Sequence, residues 1–207
     1  MYMNVFKMDR ESATEARNRR LNLTDGNEVH QWITGRQNQD RAAEKLLYRV
    51  KHENDALYLY VQSETPFNCR NTAGRGLKFM RQFEVEDTLK DVAEGDAIVF
   101  DMVVSPQHEV NNRRVFISNA DERTDWVTQK LDNNGLHCTA IVENERGDIR
   151  FSKKQKNKSI RNIHIPCSQY TGYGVITDKT AFMDLLKNGI GKNKCYGAGL
   201  MMVIPAG

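Results

Sequence analysis

Two features of this 207-residue chain have residue types and spacing that could do chemistry: a histidine at the edge of an apolar helical stripe, and a loop of glycines and lysines. His30 stands in Asn27-Glu28-Val29-His30-Gln31-Trp32, where Val29, Trp32 and Ile33 give a helix its apolar face. That places the imidazole at the border between core and solvent. Its ordinary pKa suits proton transfer near neutral pH. A lone helical histidine serves equally well as a scaffold residue, and spacing alone does not decide between the two.

The loop is Gly189-Ile190-Gly191-Lys192-Asn193-Lys194-Cys195-Tyr196-Gly197-Ala198-Gly199, and a strand-like Leu200-Met201-Met202-Val203-Ile204 follows it. Glycine lets a backbone turn sharply and bring its N–H groups close to a phosphate, and lysine supplies the countercharge. Gly191, Lys192, Lys194, Gly197 and Gly199 therefore read as a surface for a polyanion. The competing reading is a glycine helix stop and a tight turn with solvated lysines. A P-loop is excluded by both spacing and order, and a dinucleotide fingerprint would open a helix where this loop closes one.

The net charge of +3 says little, but its distribution says more. Arg150, Lys153, Lys154, Lys156, Lys158 and Arg161 fall in one stretch with no acidic residue among them. Arg10, Arg17, Arg19 and Arg20 form a second basic cluster. Such runs are often solvated loops, yet three basic segments in a near-neutral chain favour nucleic acid. No apolar run approaches the ~20 residues that span a bilayer, and the first residues lack a signal-peptide pattern. Cys69, Cys138, Cys167 and Cys195 are scattered, which suggests reduced thiols in a cytoplasmic protein. His137-Cys138 and His164 with Cys167 are too few at either place for a zinc finger, and His52 and His108 stand alone, so no metal or other cofactor is expected.

These residues need elements to hold them. Strands are expected over 1–8, 45–50, 56–62 and 97–104, with a helix starting at Asp25, which caps it with Glu28, and ending near Gly35. In the third of those strands Tyr58 and Tyr60 share a face, as stacking platforms or as ordinary strand aromatics. The second half offers strands over 114–117, 136–142, 172–177 and 200–204 and helices over 121–131 and 181–188. Two βαββαβ halves of this order predict an α+β fold of two tandem ferredoxin-like (RRM-like) domains with antiparallel sheets. They are expected over 1–108, with His30, and over 109–207, with the basic hairpin or loop and the glycine-rich loop.

Three motifs, taken in order, resemble the CasE family, the CRISPR RNA-processing endoribonucleases of type I-E systems. They are the glycine-rich loop with its closing Gly197-Ala198-Gly199-Leu200, and the paired strands Leu46-Leu47-Tyr48-Arg49-Val50 and Leu59-Tyr60-Val61-Gln62-Ser63-Glu64-Thr65-Pro66. The third is the helix around His30. The resemblance implies metal-independent cleavage of a CRISPR repeat stem-loop, retention of the product RNA, and membership of a multi-subunit surveillance complex (Cascade). It implies His30 as the proton-transfer residue of RNA cleavage by the 2′-OH. The family commonly has a tyrosine where this chain has Asn27, and often an arginine where it has Gln31. An amide can hydrogen-bond a phosphate or a 2′-OH but cannot act as a general acid or base. Asn27 thus joins His30 as a catalytic candidate and also keeps open a stem-loop-binding subunit that cuts weakly or not at all. Arg36 is a candidate for transition-state charge. Lys192 and Lys194 are expected on phosphates, and the 150–161 run on duplex RNA, read mainly by shape.

Overall fold

A computed structural model of the chain describes residues 1–9, 21–37, 45–54, 56–67, 76–154 and 159–207. They form two compact units, each discontinuous in sequence. The first comprises Met1–Asp87, Ile149–His164 and Cys195–Gly197, and the second Thr88–Asp148, Ile165–Lys194 and Ala198–Gly207.

The first unit contains β1 (Tyr2–Asp9), α1 (Gly26–Gln37), β2 (Leu47–Glu53), β3 (Ala56–Ser63) and β4 (Lys78–Glu84), followed by the single turn α2 (Val85–Thr88). Its sheet has the order β2-β3-β1-β4, and β1 runs antiparallel to both neighbours. Register sets Phe6 opposite Leu59 on the face that meets α1. Val29, Trp32 and Ile33 of α1 are buried there with Phe6, Met8, Leu59 and Val61. Phe6 meets Trp32 edge-on, ring centroids 5.5 Å apart, a geometry that aromatic quadrupoles favour. Each such side chain contributes about 1.5–3 kcal/mol on full burial, so this stripe fixes the rotation of α1.

Asp25 caps α1, its carboxylate accepting from the N–H groups of Asn27 (2.9 Å) and Glu28 (3.0 Å). The Glu28 carboxylate reaches back to the Asn22 N–H (3.2 Å). Gly35 does not end the helix, contrary to expectation. A glycine stop needs a left-handed φ, and Gly35 is not among the residues that adopt one.

The second unit contains β5 (Ala97–Val104), β6 (Gln107–Val110), β7 (Arg113–Phe116), α3 (Ala120–Asp132), α4 (Lys179–Asn188), β10 (Met201–Pro205) and the larger parts of β8 (Leu136–Lys154) and β9 (Ile160–Ile176), whose outer ends from Ile149 and up to His164 belong to the first unit. The sheet order β10-β5-β9-β8 repeats the first unit's plan. Ile98, Phe100, Met102 and Val104 alternate inward along β5 and are fully buried with Val127 and Leu131 of α3 and Phe182 and Leu186 of α4. Asn119 and Asp178 cap the two helices. Gly135 and Gly189, both at positive φ, follow them.

Three details differ from the sequence reading. β5, placed there as the last strand of the first half, pairs with β9 and β10 and is the first strand of the second sheet. Residues 113–116 form a separate hairpin with β6, turned by Asn111 (φ 50°) and Asn112 (φ 60°), which supply the two left-handed residues of a tight hairpin turn. The expected short strands 136–142 and 172–177 extend into β8 and β9, 19 and 17 residues long, with Arg150 and Lys153 near the far end of β8 and Arg161 near the start of β9.

Candidate active site and nucleic-acid interface

In the first unit, α1 carries Asn27 and His30 one turn apart, both half-buried. The ring of Tyr196 meets His30 edge-on, with centroids 6.1 Å apart and planes at 67°. Tyr196 in turn stacks on buried Phe151 of β8, at 4.1 Å and 26°. One face of the phenol ring is thereby covered and its orientation fixed.

The start of α1 is shaped to admit this ring. A side chain on Gly26 would lie 3.1 Å from Ile149 Cγ2 and 3.3 Å from the Tyr196 carbonyl oxygen, so glycine permits the approach. The Gly26 carbonyl accepts from the Tyr48 hydroxyl at 2.8 Å. Gly197, at φ +100°, brings its backbone against the same Tyr48 ring, where an added Cβ would stand 3.0 Å from Cε2. An isolated parallel bridge joins Asp25 to Arg150 of β8. His30, Asn27, Tyr196 and Arg150 therefore converge at one end of one helix. An imidazole beside a phenol supplies two groups able to exchange protons, and the bridge to Asp25 brings Arg150, a cation suited to a phosphate, to the start of the same helix.

Tyr196 was absent from the site read in the sequence. It lies in the glycine-rich loop, and no local spacing links it to His30.

Arg150, Lys153 and Arg161 are exposed on the hairpin formed by β8 and β9. Across that hairpin the Ser152 hydroxyl donates to the Asn162 side-chain oxygen at 2.9 Å. Lys154 is the last residue of β8, and Arg36 lies in the final turn of α1. Lys156 and Lys158, like Arg10, Arg17, Arg19 and Arg20, fall outside the described residues. Tyr58 and Tyr60 lie on one face of β3, 6.4 Å apart and half-buried. Burial pushes the Tyr60 phenol above its ordinary pKa, with Glu53 beside it adding to the shift.

Gly197 belongs to the unit of His30, whereas Gly191, Lys192, Lys194 and Gly199 belong to the other. The Lys194 ammonium donates to the Asn188 carbonyl at 2.7 Å, which ties the loop to the end of α4. The Gly199 N–H donates to Val103 O (2.7 Å) and its carbonyl accepts from Ile190 (2.9 Å), stitching the loop to β5. Lys192 is exposed.

His137 and Cys138 are neighbours in β8, and His164 and Cys167 stand three apart in β9, so within each pair the side chains point to opposite faces. Among the described residues no three His, Cys, Asp or Glu side chains gather as a metal site. Cys138, Cys167 and Cys195 are free thiols. Among those residues, too, no helix is long and apolar enough to cross a membrane.

Two antiparallel ferredoxin-like sheets, each in the order 4-1-3-2, define a tandem ferredoxin-like protein, as the element order had predicted. Residues 1–205 match the family described as CRISPR associated protein, and the chain belongs to that family. No curated protein matches it. Among solved structures it is similar to the CRISPR endoribonuclease Cse3 bound to a 19 nt RNA, with a TM-score of 0.85, 16% identity, and coverage of 99% of this chain and 100% of that one. Thermus thermophilus Cse3, bound to an RNA representing a pre-cleavage complex, has a TM-score of 0.72 at 17% identity, again covering 99% and 100%. The CRISPR-associated protein Cas6e from Escherichia coli K-12 has a TM-score of 0.72 at 20% identity, with the same coverage. At these identities the likeness is one of fold.

Proposed function

We propose that this protein is an endoribonuclease that cleaves CRISPR repeat stem-loops, keeps the product bound, and serves as a subunit of a type I-E surveillance complex. Family membership, and a fold like that of RNA-bound Cse3 along nearly the whole chain, support the RNA and the setting. The observation that carries the chemistry is the edge contact between His30 and Tyr196 at the end of α1 that also bears Asn27.

The reaction needs no external nucleophile. The 2′-OH loses its proton and forms the O2′–P bond, the P–O5′ bond breaks, and the departing O5′ takes up a proton. The products are a 2′,3′-cyclic phosphate and a 5′-OH. His30 is one proton-transfer group, Tyr196 its partner, and Asn27 a hydrogen-bonding group for the scissile phosphate or the 2′-OH. Arg36 and the basic residues of the β8–β9 hairpin hold phosphates, and Gly197 lets the loop backbone approach.

Incubation with the cognate repeat RNA in excess EDTA tests this reading. Cleavage that persists and leaves cyclic-phosphate ends supports it. A strict need for a divalent cation, with 3′-OH and 5′-phosphate ends, refutes the internal nucleophile. Asn27, where the family commonly has tyrosine, favours a second reading: a subunit that caps the stem-loop with little or no cutting. Tight binding without any product selects that reading.

A further inference from the structure

The second unit holds a cavity of ≈ 340 Å³ that the cleavage chemistry does not use. The β6–β7 hairpin, α3 and the glycine-rich loop form its walls through Ser105, Gln107, Arg114, Trp126, Lys130 and Lys192. We infer that this cavity binds one unpaired nucleotide of the RNA flanking the stem-loop, the base against Trp126 and the phosphate between Arg114 and Lys192.

Charge gives the first argument. Arg114, Lys130 and Lys192 outnumber the one carboxylate of the lining, Glu109, and His108 adds an imidazole. Such a wall selects an anion. The second argument is the flat apolar element. Trp126 is only half-buried, and Gly191 abuts its edge: at φ +74°, a side chain there would lie 3.1 Å from Trp126 Cη2. A half-exposed indole beside cations is the combination that unpaired nucleotides use, since every base has a π-face and every nucleotide a phosphate.

Lys130 now rests its ammonium 5.6 Å from the centre of the Trp126 ring. Its flexible stem lets it swing to a phosphate and uncover the indole for a base. The polar wall is preset. The Ser105 hydroxyl donates to Pro166 O (2.7 Å) and accepts from the Gln107 amide (3.0 Å). Among the described residues no donor meets the Gln107 side-chain oxygen, which therefore remains to accept from a base amino group. The volume lies near the lower end for ligand pockets, which suits one nucleotide and not a longer segment.

The inference rests on the RNA-binding reading above, and its test is kept separate from cutting. A repeat stem-loop made uncleavable by a 2′-deoxy substitution is compared, by equilibrium binding, with the same stem-loop carrying a short 5′ or a short 3′ single-stranded extension. One extension should tighten binding, and which one names the source of the nucleotide. Trp126→Ala should remove that gain, a loss of roughly five- to a hundredfold from base–aromatic stacking. It should leave the bare stem-loop unaffected, while Trp126→Phe keeps part of the gain and Lys192→Gln lowers it. In the parent protein, irradiation of a bromouridine-substituted extension should attach it to Trp126.

No gain from either extension overturns the inference, as does a gain that survives Trp126→Ala. Equal loss on all three RNAs, or crosslinks only elsewhere, also overturns it. A cavity that instead receives a protein side chain gives unchanged RNA affinities in every variant. Loss of cutting on the native repeat, with the extension effect intact, would count against the nuclease reading and not against this one.

Discussion

His30 and Tyr196 stand edge to ring, 6.1 Å between centroids, although one belongs to a helix near the start of the chain and the other to the loop before its last strand. Phe151, stacked on Tyr196, fixes the orientation of the phenol ring. The departure at Asn27 leaves the histidine without the phenol that relatives commonly carry on the same helix. The loop brings another from elsewhere.

Tyr196→Phe therefore separates chemistry from packing. The ring remains on Phe151 and beside His30, while the proton-bearing oxygen is lost. Single-turnover cleavage should slow by about 10²-fold, and RNA affinity should stay within twofold of the parent, on the order of a lost acid–base group. His30→Ala should cost about 10²–10⁴-fold. Single-turnover conditions matter because retained product hides the chemical step in steady state. A Tyr196→Phe variant that cuts at the parent rate removes Tyr196 from the proton-transfer pair.

On the β8–β9 hairpin, the exposed Lys153 and Arg161 should act on binding alone. Replacing Lys153 and Arg161 together with glutamine should weaken stem-loop binding and reduce the slope of log K against log salt by about two, since each phosphate contact releases condensed counterions. The cleavage rate of saturated complex should change far less than affinity. A titration over salt concentration that gives the parent slope shows these side chains to be solvated and uninvolved.

The elements that bury a periodic face were legible in the sequence. Val29, Trp32 and Ile33 announce α1, and Leu57, Leu59 and Val61 announce β3, because core contact imposes the pattern. The outer reach of β8 and β9 was not. Glu143-Asn144-Glu145-Arg146 buries little apolar surface, so no hydrophobic alternation marks it as strand. The role of β5 was missed because its neighbours β9 and β10 are distant in sequence, and strand pairing leaves no local mark. His30 and the cationic loop could be read from residue type and spacing, whereas Tyr196 beside His30 and Trp126 beside Gly191 exist only once the chain is folded.

Arg123 and Glu143 make the second unit sensitive to acid. The nearly buried guanidinium donates to both carboxylate oxygens, at 2.9 and 2.8 Å, and also to the Ile117 and Ser118 carbonyls. The Arg123 hydrogen bond holds the Glu143 carboxyl below its ordinary pKa. A depressed folded-state pKa contributes stability that is present above the unfolded value and is lost as pH falls through the folded one. Urea unfolding across the acid range should thus show a falling stability that Glu143→Gln flattens. At neutral pH, Arg123→Ala should cost about 1–3 kcal/mol, because it leaves the half-buried Glu143 carboxylate without its partner. Parent-like unfolding of both variants shows the pair to be energetically neutral.

Asn27→Tyr decides how interchangeable the two phenol positions are. A tyrosine there would sit one helical turn before His30, on the same face, where relatives commonly have it. If the reaction needs a phenol near His30 and not Tyr196 in particular, Asn27→Tyr should restore cutting to the Tyr196→Phe variant by at least tenfold. The same substitution in the parent should change the rate little, since the position of the second group is already filled. If Asn27 itself holds the scissile phosphate, Asn27→Tyr and Asn27→Ala should both slow the parent and neither should rescue Tyr196→Phe. Single-turnover rates of the three single variants and the two double variants on one labelled repeat RNA distinguish these outcomes, with affinity measured alongside to separate lost chemistry from lost binding. Rescue is the expected result, because α1 already presents position 27 and the imidazole to the same space.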